Sequence, residues 1–380
     1  EMIMYKIDNH ERLSILYRFI LFQLMRIFPV KKNKIVYLSY GGKGFIDNPK
    51  YVYNAIEKKY PDYFEHIWVV DTIDETMPAN IKQIYNFSIK EIYNFSTSSI
   101  WISNSRICQY VYKRPNQNYI QLWHAACAYK KLEFEITDTL EPKYLYYAER
   151  DSKNIDYIVS HSNHQSKDFK NNFHLSNNTK ILEIGSPRND IFSNKVICSK
   201  YLKNKYGVVE NKRIILYAPT FRDNYEFDYA RLIKENLLGL LKDEYILLVK
   251  LHPNVNTGIE STSDNIVILD NSVDIQELLL ISDILISDYS TTSLDFSLLK
   301  KEVYLYIPDL IYYKKDRGLN DIYDDLPFPK SETVEELANQ IEENKRIDYD
   351  SLFKKYHTFY DGKSSSKIAN LIYSLVEAIK

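Results

Sequence analysis

Five short apolar runs in the second half of the chain all end in the same way. RIILYAPT (213–220), YILLVKLHP (245–253), NIVILD (265–270), DILISDYS (283–290) and VYLYIPD (303–309) are rich in branched and aromatic residues and stop on polar residues or proline. Runs of this length, separated by polar helical segments, read as buried strands of a parallel sheet covered by helices on both faces. The first half carries a matching set: KIVYLSY (34–40), HIWVVDT (66–72), SSIWISN (98–104), YIQLWH (119–124), YIVSHS (157–162) and KILEIGSP (180–187). The polar, lysine-rich segment 193–212 lies between the two sets as a linker or connecting helix. A length of 380 residues fits two domains at roughly 100–200 residues each. The expected fold is α/β: two doubly wound, Rossmann-like domains facing a cleft, one over 33–195 and one over 196–380. The well-patterned last helix, 365–379, can pack back on the first domain.

Composition narrows the function classes. A net charge of −2 offers no basic field for nucleic acid. The three cysteines (Cys108, Cys127, Cys198) form no CxxC pair, so neither a disulfide framework nor a zinc site is expected, and a reducing cytosol is the simplest home. No His/Cys/Asp/Glu cluster has metal-ligand spacing, so no metal and no cofactor is expected. No secretory cleavage site follows the first apolar run. That run, within 11–32, is helical in pattern and stops at Pro29. On a helical wheel Glu11, Arg12, Ser14, Arg18, Gln23 and Arg26 share one half, and Leu13, Leu16, Tyr17, Ile20, Leu21, Leu24, Met25, Ile27 and Phe28 share the other. A bilayer span needs ~20 apolar residues, and this segment is shorter and more charged. It suits a helix lying in the headgroup plane, with Arg18, Arg26, Lys31, Lys32 and Lys34 near anionic lipid, or a helix packed on the domain body.

In open parallel sheets ligands bind beyond the carboxyl ends of the strands, so the residues there carry the function. In SDYSTTSLDF (287–296), hydroxyls at Ser290, Thr291 and Thr292 precede an apolar helix. A helix start presents unpaired N–H groups and a partial positive charge, suited to phosphate; Ser287 or Ser290 can equally serve as a cap. KLHP places His252 at a strand end, where Pro253 turns the chain out of the sheet. Arg188 in GSPRND and Arg222 in APTFRD can each clamp a phosphate through a planar fork or brace a turn. SYGGKGFIDNP lacks both common nucleotide-loop patterns and reads as a loop needing positive φ, with Asn48-Pro49 opening the next helix. In QLWHAACAYKKLE (121–133), His124 is either a reactive group at the sheet's mouth or a packed histidine; Trp123 reads as packing. Ser364–Ser366 in DGKSSSK form another hydroxyl-rich helix start. Asp348-Tyr349-Asp350 is a DxD tripeptide on a charged stretch and reads as solvated surface.

These segments together resemble the CDP-glycerol glycerophosphotransferase family, the primases and polymerases of teichoic acid synthesis, over about residues 35–370. The matching stretches are DNPKYVY (47–53), QLWH (121–124) with KK (130–131), GSPRNDI (185–191), YAPTFRD (217–223), KLHP (250–253), SDYSTTSLDFSLL (287–299), DRG (316–318) and FYDGKSS (359–365), in the family's order. Many members carry glycine after the histidine; Ala125 stands here, and the WHAA form is similar to the primase-type branch. The resemblance implies a GT-B-like fold, an acceptor-side first domain, a CDP-donor-binding second domain and no metal. It implies transfer of glycerol phosphate from CDP-glycerol, or of ribitol phosphate from CDP-ribitol, to an undecaprenyl-diphosphate-linked glycan at the cytoplasmic face of a bacterial membrane. A capsule polymer synthase or a nucleotide-sugar glycosyltransferase on the same scaffold is the alternative. For glycerol-phosphate transfer, the resemblance implies His124 as the general base, with His252 the second catalytic histidine. Arg188, Arg222, Asp288, Ser290, Thr291, Thr292, Asp361, Lys363 and Ser364 would hold the donor, and Lys130 and Asn104 would face the acceptor. The amphipathic helix within 1–32 would attach the protein peripherally to the membrane surface.

Overall fold

The structure is a computed structural model. It describes residues 9–379 apart from 126–128, 130, 132, 136, 138–139, 194, 209–211, 223, 243, 253–254, 256–257, 271–272 and 345, with backbone only at 9–12 and 195–198. The chain divides into two compact units. The first comprises residues up to His124, Leu132–Asp190 and the chain from Thr358; the second comprises Ala125–Lys131 and Ile191–His357.

The first unit contains a seven-stranded parallel sheet. Its strands are β1 (Lys31–Leu38), β2 (Glu65–Val70), β3 (Ile81–Tyr85), β4 (Ser98–Ser103), β5 (Asn118–Gln121), β6 (Tyr157–Ser160) and β7 (Lys180–Glu183), in the order β3-β2-β1-β4-β5-β6-β7. The second unit repeats the plan with six strands: β8 (Arg213–Tyr217), β9 (Tyr245–Val249), β10 (Ile266–Ile268), β11 (Ile284–Ser287), β12 (Glu302–Tyr306) and β13 (Lys330–Ser331), in the order β10-β9-β8-β11-β12-β13. All pairings are parallel. Each sheet starts in the middle and reverses direction once, between β1 and β4 and between β8 and β11. Such a reversal leaves a crevice at the carboxyl ends of the two strands.

The expected strands are present. β3 and β13 were not anticipated. IKQIY sits at the sheet's edge with buried and exposed positions interleaved, so it lacks the continuous apolar run that buried parallel strands show. β13 is only two residues long.

The principal helices are α1 (Asn9–Met25), α2 (Asp47–Lys59), α3 (Ile89–Thr97), α4 (Lys195–Lys205), α5 (Thr292–Ser297), α6 (Tyr349–Tyr356) and α7 (Ser364–Glu377). Pro49 falls in the first turn of α2, where its missing N–H costs nothing. Val52 and Ile56 of α2 share the first unit's core with Ile368, Ile372 and Val376 of α7 and with Tyr37 and Trp68, whose rings stack at 4.8 Å. Each such aliphatic side chain contributes roughly 1.5–3 kcal/mol on burial. α4 lies in the lysine-rich connecting segment. Asp348 caps α6 by accepting the N–H of Ser351, and Asp350 is exposed.

α1 docks on α3 through the side that carries Arg18 and Phe22. Phe22 is fully buried, and Arg18 turns inward to donate to the Phe87 carbonyl at 2.5 Å and to stand over the rings of Phe87 and Tyr110. The apolar stripe faces outward instead: Leu13 is 66% exposed, Tyr17 60%, Ile20 50% and Leu24 59%. Among the described residues, no helix is long and apolar enough to cross a membrane.

Candidate active site

At the carboxyl edge of the first sheet, the chain leaves β5 through a strained turn. Trp123 adopts φ 49, and its N–H donates to the Gln121 side chain at 2.9 Å. A bulky residue at positive φ is costly and is held only where its surroundings over-determine it. The turn presents half-buried His124 beside the rings of Trp123 (4.5 Å) and Tyr40 (5.7 Å). His124 Nδ1 lies 2.9 Å from the Asn104 carbonyl oxygen, at the end of β4. A carbonyl only accepts, so Nδ1 carries the proton and Nε2 keeps its lone pair. Burial pushes the His124 pKa below the ordinary imidazole value. Its bond to Asn104 and the negative charges of Asp47 and Glu133 pull the other way, while Arg188 adds to the lowering. The ring is therefore neutral near pH 7, with Nε2 able to accept a proton.

Behind His124 the separate motifs join. The loop after β1 turns through positive φ at Tyr40 (43°), Gly41 (68°), Gly42 (112°) and Gly44 (124°), as its glycines led one to expect. A Cβ on Gly42 would lie 2.7 Å from Asp71 Oδ1, so only glycine fits there. The loop spans the crevice: Tyr40 N–H donates to Asn104 Oδ1 (2.8 Å), and Gly41 N–H to Ser105 Oγ (3.1 Å). Asn48 Nδ2 donates to the Trp123 carbonyl at 2.8 Å, while its Oδ1 accepts from Ser186 Oγ and the Arg188 N–H. Arg188, expected on the donor, is buried and directs Nη1 to Asp47 Oδ2 (2.6 Å) and to the His124 carbonyl (2.8 Å). In this arrangement it braces the site.

The GSPRND and DGKSSSK stretches are one structural piece. Asp190 accepts the N–H groups of Ser364 (3.1 Å) and Ser365 (2.7 Å), so a carboxylate of the protein occupies the start of α7. Ser364 Oγ donates to the Ile184 carbonyl at 2.6 Å. Asp361 is exposed, pairs with Lys367 at 2.7 Å and accepts the Lys363 N–H; Lys363 is also exposed. Ser364 and Asp361 are thus engaged by other groups of the first unit.

The carboxyl edge of the second sheet carries the other set. Arg222 is buried and bidentate to Asp309, with Nε 2.7 Å from Oδ2 and Nη2 3.1 Å from Oδ1, and Nη1 reaches Asp288 at 2.8 Å. Asp288 also accepts the N–H groups of Thr220 (2.9 Å) and Tyr289 (2.6 Å). The hydroxyls of Tyr225 and Tyr289 donate to Asp309. Burial pushes the Asp309 carboxyl up, but the bonds and charge of Arg222, with the two hydroxyls, hold it below the usual range. Arg222 and Asp288 thus tie the chain after β8 to the chain after β11, across this sheet's reversal. Ser290, Thr291 and Thr292 are half-buried at the start of α5. Ser290 Oγ takes the Thr292 N–H at 3.2 Å, while Ser287 ties β11 to the Ala218 carbonyl rather than capping the helix. His252 is exposed, with its ring 5.7 Å from Phe221, so KLHP and APTFRD share this edge.

Sequence reasoning passed over Asp47, Asp309 and Lys250. Lys250 sits in KLHP, and burial pulls its ammonium down to about 8 against the charges of Asp270 and Asp274. Lys130, Pro253 and most of the Ala125–Ala128 run lie outside the described residues; Lys131 is exposed. Among the described residues, no three His, Cys, Asp or Glu side chains are grouped as a metal site would need.

The family model described as CDP-glycerol:poly(glycerophosphate) glycerophosphotransferase matches residues 20–374. This chain belongs to that family. It is 31% identical over 372 residues to a teichoic acid poly(glycerol phosphate) polymerase of Staphylococcus epidermidis, covering 90% of this chain and 51% of that one. The chain thus spans about half the length of that relative. It is 31% identical to a teichoic acid glycerol-phosphate transferase of Staphylococcus aureus, covering 93% of this chain and 95% of that protein. A solved structure of the wall teichoic acid polymerase TagF, a histidine-to-asparagine variant soaked with CDPG, is similar with a TM-score of 0.83. The match has 27% identity and covers 98% of this chain and 99% of that one. The α/β fold is therefore GT-B-like, and the chain is a transferase of the teichoic acid glycerol-phosphate family.

Proposed function

We propose that this chain transfers glycerol phosphate from CDP-glycerol to a hydroxyl of an undecaprenyl-linked glycan and releases CMP. His124 carries the reading: a neutral imidazole whose Nδ1–H is fixed by the Asn104 carbonyl and whose Nε2 is left to accept a proton. The acceptor oxygen attacks the β-phosphorus as its proton passes to Nε2. The new oxygen–phosphorus bond forms while the bond from that phosphorus to the bridging oxygen breaks, and CMP leaves with the electron pair. Charge on the leaving group needs donors and cations rather than covalent help. His252 and the hydroxyls and N–H groups at Ser290–Thr292 supply these on the second unit.

The outward apolar stripe of α1 supports attachment to a membrane surface, since burying it in the interface recovers area that water otherwise covers. Arg26, Lys31 and Lys32 add attraction to anionic lipid.

The test is transfer to a defined lipid-linked disaccharide, read by mass, with CDP-glycerol, CDP-ribitol and UDP-hexose offered in turn. Product with CDP-glycerol, lost in folded His124→Ala and His252→Ala variants, is the expected result. Transfer from UDP-hexose alone, or activity surviving both substitutions, overturns the reading. For attachment, Leu16→Glu/Ile20→Glu is expected to release the protein from vesicles containing phosphatidylglycerol; unchanged co-sedimentation counts against it.

A further inference from the structure

Asp47 opens α2 in a left-handed conformation, φ 58, which aspartate tolerates better than most residues. It is 4% exposed, and four donors converge on its two carboxylate oxygens. Oδ1 accepts Asn104 Nδ2 at 2.8 Å and the Asn48 N–H at 2.7 Å; Oδ2 accepts Arg188 Nη1 at 2.6 Å and the Tyr40 hydroxyl at 3.1 Å. Three of those four donors belong to the residues that hold His124. Asn104 accepts its Nδ1–H, Arg188 donates to its backbone carbonyl, and Tyr40 lies against its ring.

We propose that Asp47 is the positioning residue of the site: one buried carboxylate that fixes Asn104, Arg188 and Tyr40, and through them the tautomer and orientation of the His124 imidazole. The proposal rests on the reading of His124 as the base. An ionised carboxylate suits the position because both of its oxygens only accept. An amide there offers one acceptor and turns an NH₂ toward donors. The charge also matters. The charged groups facing His124 are Arg188 on one side and Asp47 and Glu133 on the other. Without Asp47, Arg188 disfavours the imidazolium that forms as the acceptor proton is taken up.

The test is Asp47→Asn in the full chain, assayed with CDP-glycerol and lipid-linked acceptor. We expect kcat to fall roughly 10–100-fold from a displaced base, with the KM for CDP-glycerol within about twofold. The acid limb of the kcat profile is expected to move to lower pH, because the imidazolium is less favoured. In ¹⁵N-histidine spectra the Nδ1–H tautomer of His124 is expected to be dominant in the parent and mixed in the variant. An unchanged kcat, acid limb and tautomer in a folded Asp47→Asn protein overturns the proposal. Where the single variant folds poorly, Asp47→Asn/Arg188→Met removes both buried charges. Recovery of melting temperature without recovery of kcat supports positioning, and recovery of both overturns it. The tautomer measurement needs no activity, so it stands even if His124→Ala proves active and the base assignment fails.

Discussion

Replacing Arg222 with alanine separates two roles that the sequence left open for it. The side chain is buried and holds two carboxylates, Asp288 and Asp309. Removing one partner of a buried pair costs about 3–5 kcal/mol, chiefly because the remaining charge is left uncompensated. The cost should not double here, since Asp309 keeps the hydroxyls of Tyr225 and Tyr289, and Asp288 keeps the N–H groups of Thr220 and Tyr289. For a unit of this size, 1 kcal/mol moves the melting temperature by about 2–4 °C, so a fall of roughly 6–20 °C is expected. The loss should shrink in acid. Asp309 has a folded pKa below its unfolded one, so its contribution is present above the unfolded value and disappears as pH falls through the folded one. The variant has already lost that contribution. Calorimetry of parent and variant between pH 7 and pH 3, with and without CDP-glycerol, reads both effects. A variant that melts with the parent but loses tenfold or more in CDP-glycerol affinity would show that Arg222 is a donor clamp and the brace argument is wrong.

Three further outcomes follow from groups removed wholly or partly from water. Burial holds His357, 3.0 Å from Ser297 Oγ, down at about 4. Its contribution is full above an unfolded pKa of about 6.5 and lost as pH falls toward the folded value, a swing of order 3 kcal/mol; His357→Gln should flatten urea midpoints across that window. Burial pushes Glu91 up to about 7 against the bonds from Tyr110 and Cys108. Its contribution is full below about pH 4.3 and lost as pH rises through the folded value, so Glu91→Gln should gain up to about 3 kcal/mol at pH 8. An unchanged denaturation midpoint at that pH counts against it. Asp190→Ala should cost about 1–2 kcal/mol as a lost cap and speed hydrogen exchange at the Ser364 and Ser365 amides; unaltered exchange would mean that another group satisfies them.

The strands at the heart of each sheet were legible because parallel strands covered on both faces need continuous apolar runs, as in RIILY and YILLV. The edge strand IKQIY has no such run and went unread. The wheel of α1 sets Arg18 opposite Leu16 and Ile20 but carries no information on which face docks. That depends on Phe87 and Tyr110, whose rings receive Arg18. At the site, His124 was legible as a candidate because a histidine ending a strand run is conspicuous. The roles of the two arginines were not, because each is decided by a distant carboxylate: Asp47 lies 141 positions from Arg188, and Asp309 lies 87 from Arg222. A charged pair leaves no local trace when its members are that far apart in the chain.

The place of α7 in the first unit bears on how the chain is made. Ile368, Ala369, Ile372 and Val376 complete a core whose other buried members precede position 160. Between them the ribosome must produce the whole of Ile191–His357. At about 5–20 residues per second that takes roughly 8–33 s. During that interval the first sheet waits with α2 uncovered, while the second unit gains its last strand, β13, by position 331, before α7 is made. The second unit is therefore free to fold first, and the unit that bears His124 closes only when α7 arrives. Nascent-chain proteolysis should find the first unit protected after the second, although it is synthesised before it.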